Sequence, residues 1–561
     1  MKKTIKFLAI PLLFLGGCTN LDQEFHDKVT PETFFKSATD IKAALYRPFT
    51  HARVHVPSIG ESWYLQELTA DQFAFVTKGR HGYNGGENER FHYHRWTPND
   101  GWIWQVWRRT LKGIALALDA KSDLEKLDYA KFALTQADKD DHVNQLNTLI
   151  AYFYLCGLDY FGGLPVFESL EGESLPRKTD LETFAHIETL LKTAIEKLPK
   201  KKSGEREEGG FRQAGAAALL ARLYFNAEAY IRKPMFEECK RICQDILDKK
   251  HGEYRLDDTW FGPHSFTNDK STEIIWSTPS EANKLEYNWF YGIFYHYNTR
   301  KYFDIDVGSL NRIHLSPSRS PTGALYAQHK LGSPFEKYHD ADLRKKPYKY
   351  LGSGRYEGMF IVGPHLTPAG KAINGSEEYR DKPLVFVDQV GRFSEVGPGK
   401  RYASVAALPS SRMSEGEENT GIRLVKTPIP NDADKNLRWG ADNAVIRLAE
   451  IQYMLAECLM RKGDKVRAAE LINEVRRRNF ENRTDPAPVT ETNLDDYRML
   501  DEWGMEFLGE GRRRTDLIRW KKFTTESWWD HVPSNNENYN RFPVPIEAIS
   551  GNNNLEQNKG Y

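Results

Sequence analysis

Apolar residues recur at helical spacing along much of this chain. Within residues 141–160, Leu146, Leu149, Ile150 and Phe153 fall on one face of a helix. The same period predicts three further amphipathic helices, at 180–198, 212–230 and 234–249. The chain is therefore predicted to be mainly α-helical.

A helix, a short turn and a returning helix follow one another near the C-terminal end of the sequence. Residues 443–462 carry an apolar stripe with small residues as packing points, namely Val445, Leu448, Ala449, Ile451, Leu455, Ala456 and Leu459. Gly463 and Asp464 make the turn, and 466–478 is the predicted returning helix. Such pairs resemble tetratricopeptide units, each of which buries its apolar face against the next.

Between about residues 250 and 440 the helical pattern fades, and Gly, Pro, Ser, Tyr and Trp become frequent. We expect a helical region at 41–250, an irregular loop-rich region with short strands at 251–440, and a second helical region at 441–561. Long irregular segments in compact proteins tend to carry function, so the middle region is a candidate for binding.

The chain starts with a basic segment and a short apolar run. Lys2, Lys3 and Lys6 precede apolar residues 7–15, a run too short to span a membrane, and "LGGC" ends it at Cys18. This ending resembles a bacterial lipobox, whose cysteine thiol accepts a diacylglyceryl group and becomes the first residue of the mature protein. The alternative is an ordinary signal peptide with a chance cysteine.

The lipobox interpretation predicts removal of residues 1–17, acylation of Cys18 and a polar tether at 18–40. Two or more acyl chains give stable membrane anchoring, whereas one holds a protein only marginally.

The charge balance and the aromatic content of the chain indicate which classes of binding partner it suits. Lys plus Arg and Asp plus Glu are equal at 78 each, so the formal net charge is zero. A nucleic-acid-binding protein usually shows a basic excess, which argues against that class. Aromatic residues make up 12% of the chain and supply ample stacking surface. The cysteines beyond Cys18 lack disulfide or zinc spacing and are interpreted as buried thiols: Cys156, Cys239, Cys243 and Cys458.

Six stretches in order resemble one family. They are "HRWTPNDGWIWQVWRRTLKGI" at 94–114, "FGGLPVF" at 161–167, "RLAEIQYMLAECLMRKGD" at 447–464, "INEVRRR" at 472–478, "EFLGEGRRRTDLIRW" at 506–520 and the final "FPVPIEAISGNNNLEQNKGY". Together with the lipobox they are similar to the SusD/RagB family of surface lipoproteins from Bacteroidetes-type bacteria. Asp119 departs from the family's frequent asparagine, which puts one local helix contact in doubt.

The resemblance implies a fold of four tetratricopeptide-like helix pairs supporting an irregular half. It implies a non-enzymatic lid over a SusC-type TonB-dependent outer-membrane transporter, lipid-anchored and facing the cell exterior. The implied ligands are oligosaccharides or, in some members, peptides or glycopeptides. A surface glycoside hydrolase and a helical-repeat scaffold without a small ligand are the less favoured alternatives.

The first candidate site is the glycine-rich stretch at 79–96. Sugar rings offer apolar C–H faces and hydroxyl edges, so a glycan site needs aromatic planes and hydrogen-bonding groups. Tyr83 is the predicted stacking platform, Asn84 a hydrogen-bond partner, and His81 and Trp96 further candidates. Three tryptophans at near-helical spacing are instead predicted to lie in the core: Trp102, Trp104 and Trp107.

The second candidate is "YNWFYGIFYHYNTRKYF" at 287–303, from which we select Trp289 and Tyr291. Its aromatic residues alternate as on one face of a strand, namely Tyr287, Trp289, Tyr291, Tyr295 and Tyr297. A half-buried strand without a ligand would show the same alternation.

Other constellations are weaker. Glu506 and Glu510 are one helical turn apart, like a glycosidase pair, but the neighbouring arginines favour an ion-pair network, so no catalytic residue is predicted. His92 and His94 would share a strand face and approach His81, but packed or solvated imidazoles are the favoured interpretation. No metal site, cofactor or nucleic acid is predicted, and calcium binding stays open.

Overall fold

A computed structural model describes residues 31–55, 60–170, 174–205, 209–286 and 288–561. The predicted leader and most of the tether, including Cys18, lie outside these residues. The helices are α1 Pro31–Phe34, α2 Ala38–Tyr46, α3 Phe49–Ala52, α4 Glu61–Glu67, α5 Glu87–His92, α6 Gly101–Lys126, α7 Gln136–Phe161, α8 Asp180–Lys197, α9 Gln213–Phe225, α10 Ala227–Ile231, α11 Phe236–Leu247, α12 Thr299–Phe303, α13 Leu448–Arg461, α14 Lys465–Arg476, α15 Asp496–Glu506, α16 Arg513–Arg519 and α17 Ile546–Gly551.

The longer helices pack one against the next in a continuous stack. α6 contacts α7, α7 contacts α8, and the series continues through α9, α11, α13 and α14. Thr135 and Thr179 form capping boxes at the starts of α7 and α8 and satisfy free backbone N–H groups there. A Cβ on Gly113 of α6 would lie 2.4 Å from the Phe153 ring of α7, so the close approach of these helices requires glycine.

The predicted helices at 141–160, 180–198, 234–249 and 466–478 are all present. Two predictions were partly wrong. The helix predicted at 212–230 is divided at Asn226 into α9 and α10. Residues 443–447 form a strand, so the helix predicted at 443–462 starts only at Leu448. The strand pairs antiparallel with Ile274–Thr278, and Asn443 lies opposite Thr278. A short apolar run that leads into a helix does not by itself distinguish the two structures.

The described residues of 251–440 are mostly irregular chain that connects short strands and 3₁₀ turns. The strands are β1 Phe73–Ala74, β2 Ile274–Thr278, β3 His314–Leu315, β4 Lys349–Gly352, β5 Arg355–Glu357, β6 Phe360–Ile361, β7 Gly363–Pro364, β8 Val385–Phe386, β9 Arg423–Leu424 and β10 Asn443–Arg447. Over the described ranges they form antiparallel pairs: β1 with β3, β2 with β10, β4 with β5, β6 with β9 and β7 with β8. The mainly α fold with a loop-rich part and short strands is thus confirmed, while the region boundaries stay predictions.

One hydrophobic core runs through both the helical stack and the loop-rich part. Trp102 and Trp107 lie buried in α6, as predicted, and Trp104 packs partly buried against the same core. Cys239, Cys243 and Cys458 are buried free thiols and Cys156 is half-buried. Among the helices of the described residues, none has the length and apolar character to cross a membrane.

Hydrogen bonds and an ion pair join residues 63–71, in the N-terminal part of the chain, to residues 509–513, near its C-terminal end. Arg513 of α16 donates to Asp71 through Nε at 2.6 Å and Nη2 at 2.9 Å, and both side chains are buried. Trp63 of α4 donates its indole N–H to the carbonyl oxygen of Gly509 at 2.8 Å. The segment that carries the glycine-rich stretch is therefore fixed against the C-terminal helices.

Candidate functional site

A tight loop at residues 79–86, here called the glycine loop, holds the first candidate site. Lys78 and His81 exchange backbone hydrogen bonds at 2.8 and 2.9 Å and start the turn. Gly82 has φ +82°, and an added Cβ would lie 3.0 Å from the carbonyl oxygen of Val76. Glycine is required there because the backbone is left-handed and passes close to its neighbour.

Side chains of helix α5 donate hydrogen bonds to the backbone of the glycine loop. Asn88 donates from Nδ2 to the carbonyl oxygen of Gly82 at 2.8 Å, and Arg90 donates from Nη1 to that of Gly85 at 3.0 Å. Tyr83 lies between these two contacts, and 60% of its surface is exposed. A fixed backbone thus presents an open aromatic ring to solvent.

The other predicted residues of the loop lie beside Tyr83. Asn84 is exposed, and its amide donates to Glu87 Oε2 at 2.9 Å. His81 lies 3.3 Å from Glu377 Oε1, and its ring meets that of Tyr297 edge-on with centroids 5.9 Å apart. Tyr83 and Asn84 are therefore adjacent exposed residues of the loop, whereas His81 is partly buried against Glu377 and Tyr297.

A cleft of about 450 Å³ lies next to the loop. Its lining includes Phe75, Lys78, His81, Gly82, Tyr297, Leu310, Asn311, Arg312 and Glu377. The pairing of β1 with β3, with Phe73 opposite Leu315, brings the chain before the glycine loop alongside residues 310–312. Aromatic and aliphatic surface therefore meets charged groups in a single open groove.

Sequence reasoning missed three of these cleft residues. Lys78, Arg312 and Glu377 come from separate parts of the sequence, and no local motif marks them. Partial burial raises the pKa of Glu377, but hydrogen bonds from His81 and Arg80 lower it by more, so the pKa lies below its usual value. The carboxylate of Glu377 thus stays charged and occupied by its two neighbours.

Trp96 does not lie on this surface. It is 3% exposed, and its indole N–H donates to the hydroxyl of Tyr561 at 2.7 Å. The ring packs on Phe542 with centroids 4.8 Å apart. The prediction that Trp96 binds a glycan is therefore corrected, because a covered ring has no face for a sugar.

The second candidate stretch is not a strand. Residues Asn288–Phe294 form a 3₁₀ helix, so the alternation of aromatic residues does not place them on one face. Tyr291 is buried, and burial raises its pKa to about 12. Tyr291 lines a cavity of about 150 Å³, but only 8% of its surface is exposed, which corrects its prediction as an exposed platform. The side chain of Trp289 lies outside the described residues, and its role stays a prediction.

Glu506 and Glu510 lie inside a buried network of charges, as the sequence predicted. The ion-pair network consists of Glu273, Glu506, Glu510, Arg344, Arg447, Arg478 and Lys426. Arg447 reaches Glu506 at 2.8 Å, Glu510 at 2.9 Å and Glu273 at 3.0 Å. The partners differ from the arginines adjacent in sequence, since Arg512 pairs with Glu450, Arg513 with Asp71 and Arg514 with Asp159.

The network fixes the protonation of its carboxylates. Burial alone would raise the pKa of Glu506, but Arg447, Arg478 and Arg344 outweigh burial and hold the pKa at about 2. The pKa of Glu510 is also lowered, by Arg447 and Lys426 against the effect of burial. Neither group carries a proton to donate at neutral pH.

His92 and His94 do not join His81. His92 lies in α5, with Nε2 3.2 Å from the Trp529 carbonyl oxygen, and His94 Nε2 lies 2.8 Å from that of Thr69. Both are buried, and burial lowers the pKa of each. Within the part of the chain that the structure describes, no three His, Cys, Asp or Glu side chains are arranged to hold a metal ion.

Comparison with known proteins places the chain among relatives of this architecture. The model described as "SusD family" matches residues 272–561, just over half of the chain. This chain belongs to the SusD family. The starch-binding protein SusD of Bacteroides thetaiotaomicron is 39% identical to it over 185 residues, and that alignment covers 31% of each protein.

Three solved structures illustrate that the fold of this chain is shared with other proteins. NanU from B. fragilis superposes with a TM-score of 0.67 at 15% identity, covering 95% of this chain and 99% of that one. A SusD superfamily protein from Parabacteroides distasonis gives 0.64 at 16% identity, with 95% and 100% covered. Surface glycan-binding protein A from Bacteroides uniformis gives 0.62 at 17% identity, with 93% and 99% covered.

Proposed function

We propose that this SusD-family chain binds oligosaccharides at the cleft beside the glycine loop and does not cleave them. The observation that carries the proposal is the open ring of Tyr83, 60% exposed on a backbone held by Asn88 and Arg90. An aromatic ring fixed in this way stacks on a sugar at little entropic cost. Asn84 and His81 supply hydrogen-bonding groups beside it.

The names of two similar proteins support this ligand class. One relative is described as starch-binding and one structural neighbour as glycan-binding. Binding without hydrolysis is supported by Glu506, whose pKa of about 2 leaves it without a proton for a leaving group. A shallow aromatic site of this kind should bind weakly, about 4–8 kcal/mol, or micromolar to millimolar.

The proposal includes anchoring and delivery. Acylated Cys18 would hold the protein at the exterior of the outer membrane, where it passes oligosaccharides to a SusC-type TonB-dependent transporter. The leader pattern and family membership support this part. Mass spectrometry of the native protein should detect a diacylglyceryl cysteine as its first residue, and an intact leader would contradict the anchor. Recovery of a TonB-dependent transporter with the detergent-extracted protein checks the partner.

Substitution of the exposed ring tests the binding site. Tyr83→Ala should lower the affinity for a bound oligosaccharide by about 1–2 kcal/mol, because it removes a stacking face. Leu181→Ala is the matched control, since Leu181 is 62% exposed on α8 and lies outside the cleft lining. Calorimetry or affinity electrophoresis measures the effect, and circular dichroism verifies that both variants are folded.

Three results would count against this function. Unchanged affinity in Tyr83→Ala would remove the proposed site. Binding of peptides but not glycans would replace the ligand class, and release of reducing ends from polysaccharide would replace binding with hydrolysis. Trp289→Ala tests the second predicted platform in the same assay.

A further inference from the structure

Two cationic side chains in the cleft have no carboxylate partner within the described part of the chain. Arg312 lines the cleft and is exposed, and no hydrogen bond or ion pair of its guanidinium is found among the described residues. Lys78 lines the same cleft at 5% exposure, and its ammonium donates to the carbonyl oxygens of Asn311 at 2.9 Å and Arg312 at 2.7 Å. Uncharged carbonyl groups solvate Lys78 but do not neutralise it.

A third cationic side chain, Arg423, contacts Asn311 from the interior of the protein. Arg423 is fully buried, and its guanidinium donates to the backbone carbonyl groups of Thr420 and Gly421 and to Asn311 Oδ1 at 2.7 Å. Its Nε has no partner in the described part of the chain. Asn311 thus separates two buried cations, with its backbone oxygen on Lys78 and its side-chain oxygen on Arg423.

The carboxylates around the cleft are already occupied. Glu377 accepts hydrogen bonds from Arg80 at 3.2 Å and pairs with His81 at 3.3 Å. Glu418 lies 2.8 Å from His296 Nε2 and accepts the backbone N–H groups of Ser376, Glu377 and Tyr379. Glu378 accepts the N–H of Glu418 at 3.3 Å. The positive charge on Lys78 and Arg312 therefore has no acidic side chain committed to it.

Burial of Lys78 without a carboxylate partner among the described residues is energetically costly. A buried charge is normally paired, and leaving one unpaired in a low-dielectric site destabilises the protein. Burial and the nearby Arg423 both lower the pKa of Lys78, which reflects the same cost. An anionic group in the cleft would remove part of it, and charge-assisted hydrogen bonds to such a group are stronger than neutral ones.

We propose that the cleft selects oligosaccharides that carry a carboxylate or sulfate group, which Lys78 and Arg312 bind while Tyr83 stacks on a sugar ring. The inference rests on the glycan-binding function proposed above and specifies its ligand class. The charged group would lie over the Lys78–Asn311–Arg312 wall, and the neutral rings would extend toward the glycine loop.

Matched ligand pairs that differ only in charge provide the test. The full-length protein is titrated with oligogalacturonates and their methyl esters, and with sulfated carrageenan oligosaccharides and their desulfated forms. We expect the charged member of at least one pair to bind about tenfold more tightly than its neutral partner. The preference should shrink when salt is raised from about 0.05 M to about 0.5 M, because the Debye length falls.

Variants separate the charge from the stacking surface. Arg312→Gln should lower the affinity for the charged ligand about fivefold and leave the neutral ligand nearly unchanged. Arg108→Gln is the matched control, because Arg108 is exposed on α6 and contacts Gln105. Tyr83→Ala should weaken both members of a pair equally. Lys78→Met extends the test where circular dichroism shows that it folds.

The outcomes distinguish the two proposals. Equal affinity for charged and neutral members, or preference for the neutral one, together with sensitivity to Tyr83→Ala, would overturn the anionic ligand class and leave glycan binding in place. An unchanged preference in Arg312→Gln would also overturn it. Failure of every ligand to bind would remove the glycan-binding function, and this inference with it.

Discussion

The ion-pair network and the cleft both contain several charged side chains. In the network the charges are paired with each other, whereas two cations of the cleft have no carboxylate partner among the described residues. In the network, Arg447 and its neighbours meet Glu273, Glu506 and Glu510 in the buried contact between helices and loops. In the cleft, Lys78 and Arg312 meet carbonyl groups or solvent. Matched charges fix one conformation and leave little for a ligand to gain, whereas unmatched ones are available for recognition.

Buried histidines are a third kind of titratable group in this protein, distinct from the network and the cleft because their imidazole rings are uncharged at neutral pH. Burial lowers the pKa to about 3 for His55, His94, His264 and His365. The unfolded chain takes up these protons below its pKa of about 6.5, so the stability they contribute is present above that pH and is lost as the pH falls.

These four imidazoles should together lower the free energy of unfolding by about 5 kcal/mol between pH 7.5 and 5.5, while the network stays charged because the pKa of Glu506 is about 2. Burial raises the pKa of Glu67 to about 7 and those of Asp388 and Asp442 to about 6, so protonation of these acids offsets part of that loss. Urea unfolding at several pH values measures the slope. His94→Gln should reduce that slope by about one proton. An unchanged slope in His94→Gln would contradict the burial of a neutral imidazole at that position.

Breaking the network should cost nearly as much. Arg447→Met leaves three buried carboxylates without their shared guanidinium and should lower the free energy of unfolding by about 3–5 kcal/mol. Chemical denaturation measures the change. A loss below about 1 kcal/mol would show that the remaining arginines and Lys426 compensate for Arg447.

Straining the glycine loop should have a smaller effect on stability and a clear one on binding. Gly82→Ala places a Cβ 3.0 Å from the Val76 carbonyl oxygen at φ +82° and should cost about 1–2 kcal/mol. Gly85→Ala is the control, because its φ is also positive but nothing lies within 4 Å of the added Cβ. Amide hydrogen exchange in residues 79–86, with glycan affinity, should show a larger loss in Gly82→Ala. Equal losses in both variants would mean that packing against Val76 does not position Tyr83.

An exposed pair should contribute least. Arg467 and Glu470 lie 2.8 Å apart on α14, with side chains 51% and 56% exposed. Arg467→Met should change the free energy of unfolding by no more than about 0.5 kcal/mol, because solvent screens the pair. The same denaturation assay measures it beside Arg447→Met. A large loss would show that exposure is a poor guide to the contribution of a charge pair in this fold.

The sequence allowed the helical stack, the buried tryptophans of α6 and the structural role of Glu506 to be predicted, because each depends on local spacing or local charge. It also identified the glycine loop, whose glycines are adjacent in the chain. It gave no indication of Lys78, Arg312 and Glu377 as one group, because contacts between distant segments assemble them. The pairing of β1 with β3 brings the segments of Lys78 and Arg312 together, and Glu377 joins through Arg80 and His81. Alternating aromatic residues from Tyr287 to Tyr297 predicted one face of a strand, whereas Asn288–Phe294 form a 3₁₀ helix.

The pairing of Asp71 with Arg513 constrains how the chain acquires its structure. These residues are separated by 442 positions, and both are buried in the finished protein. During synthesis the N-terminal half of the chain is made first, and Asp71 lacks its cationic partner until Arg513 has been added near the end. A fragment that stops before α16 would retain the Asp71 carboxylate without the Arg513 guanidinium, so we expect that the N-terminal half does not fold as an autonomous unit.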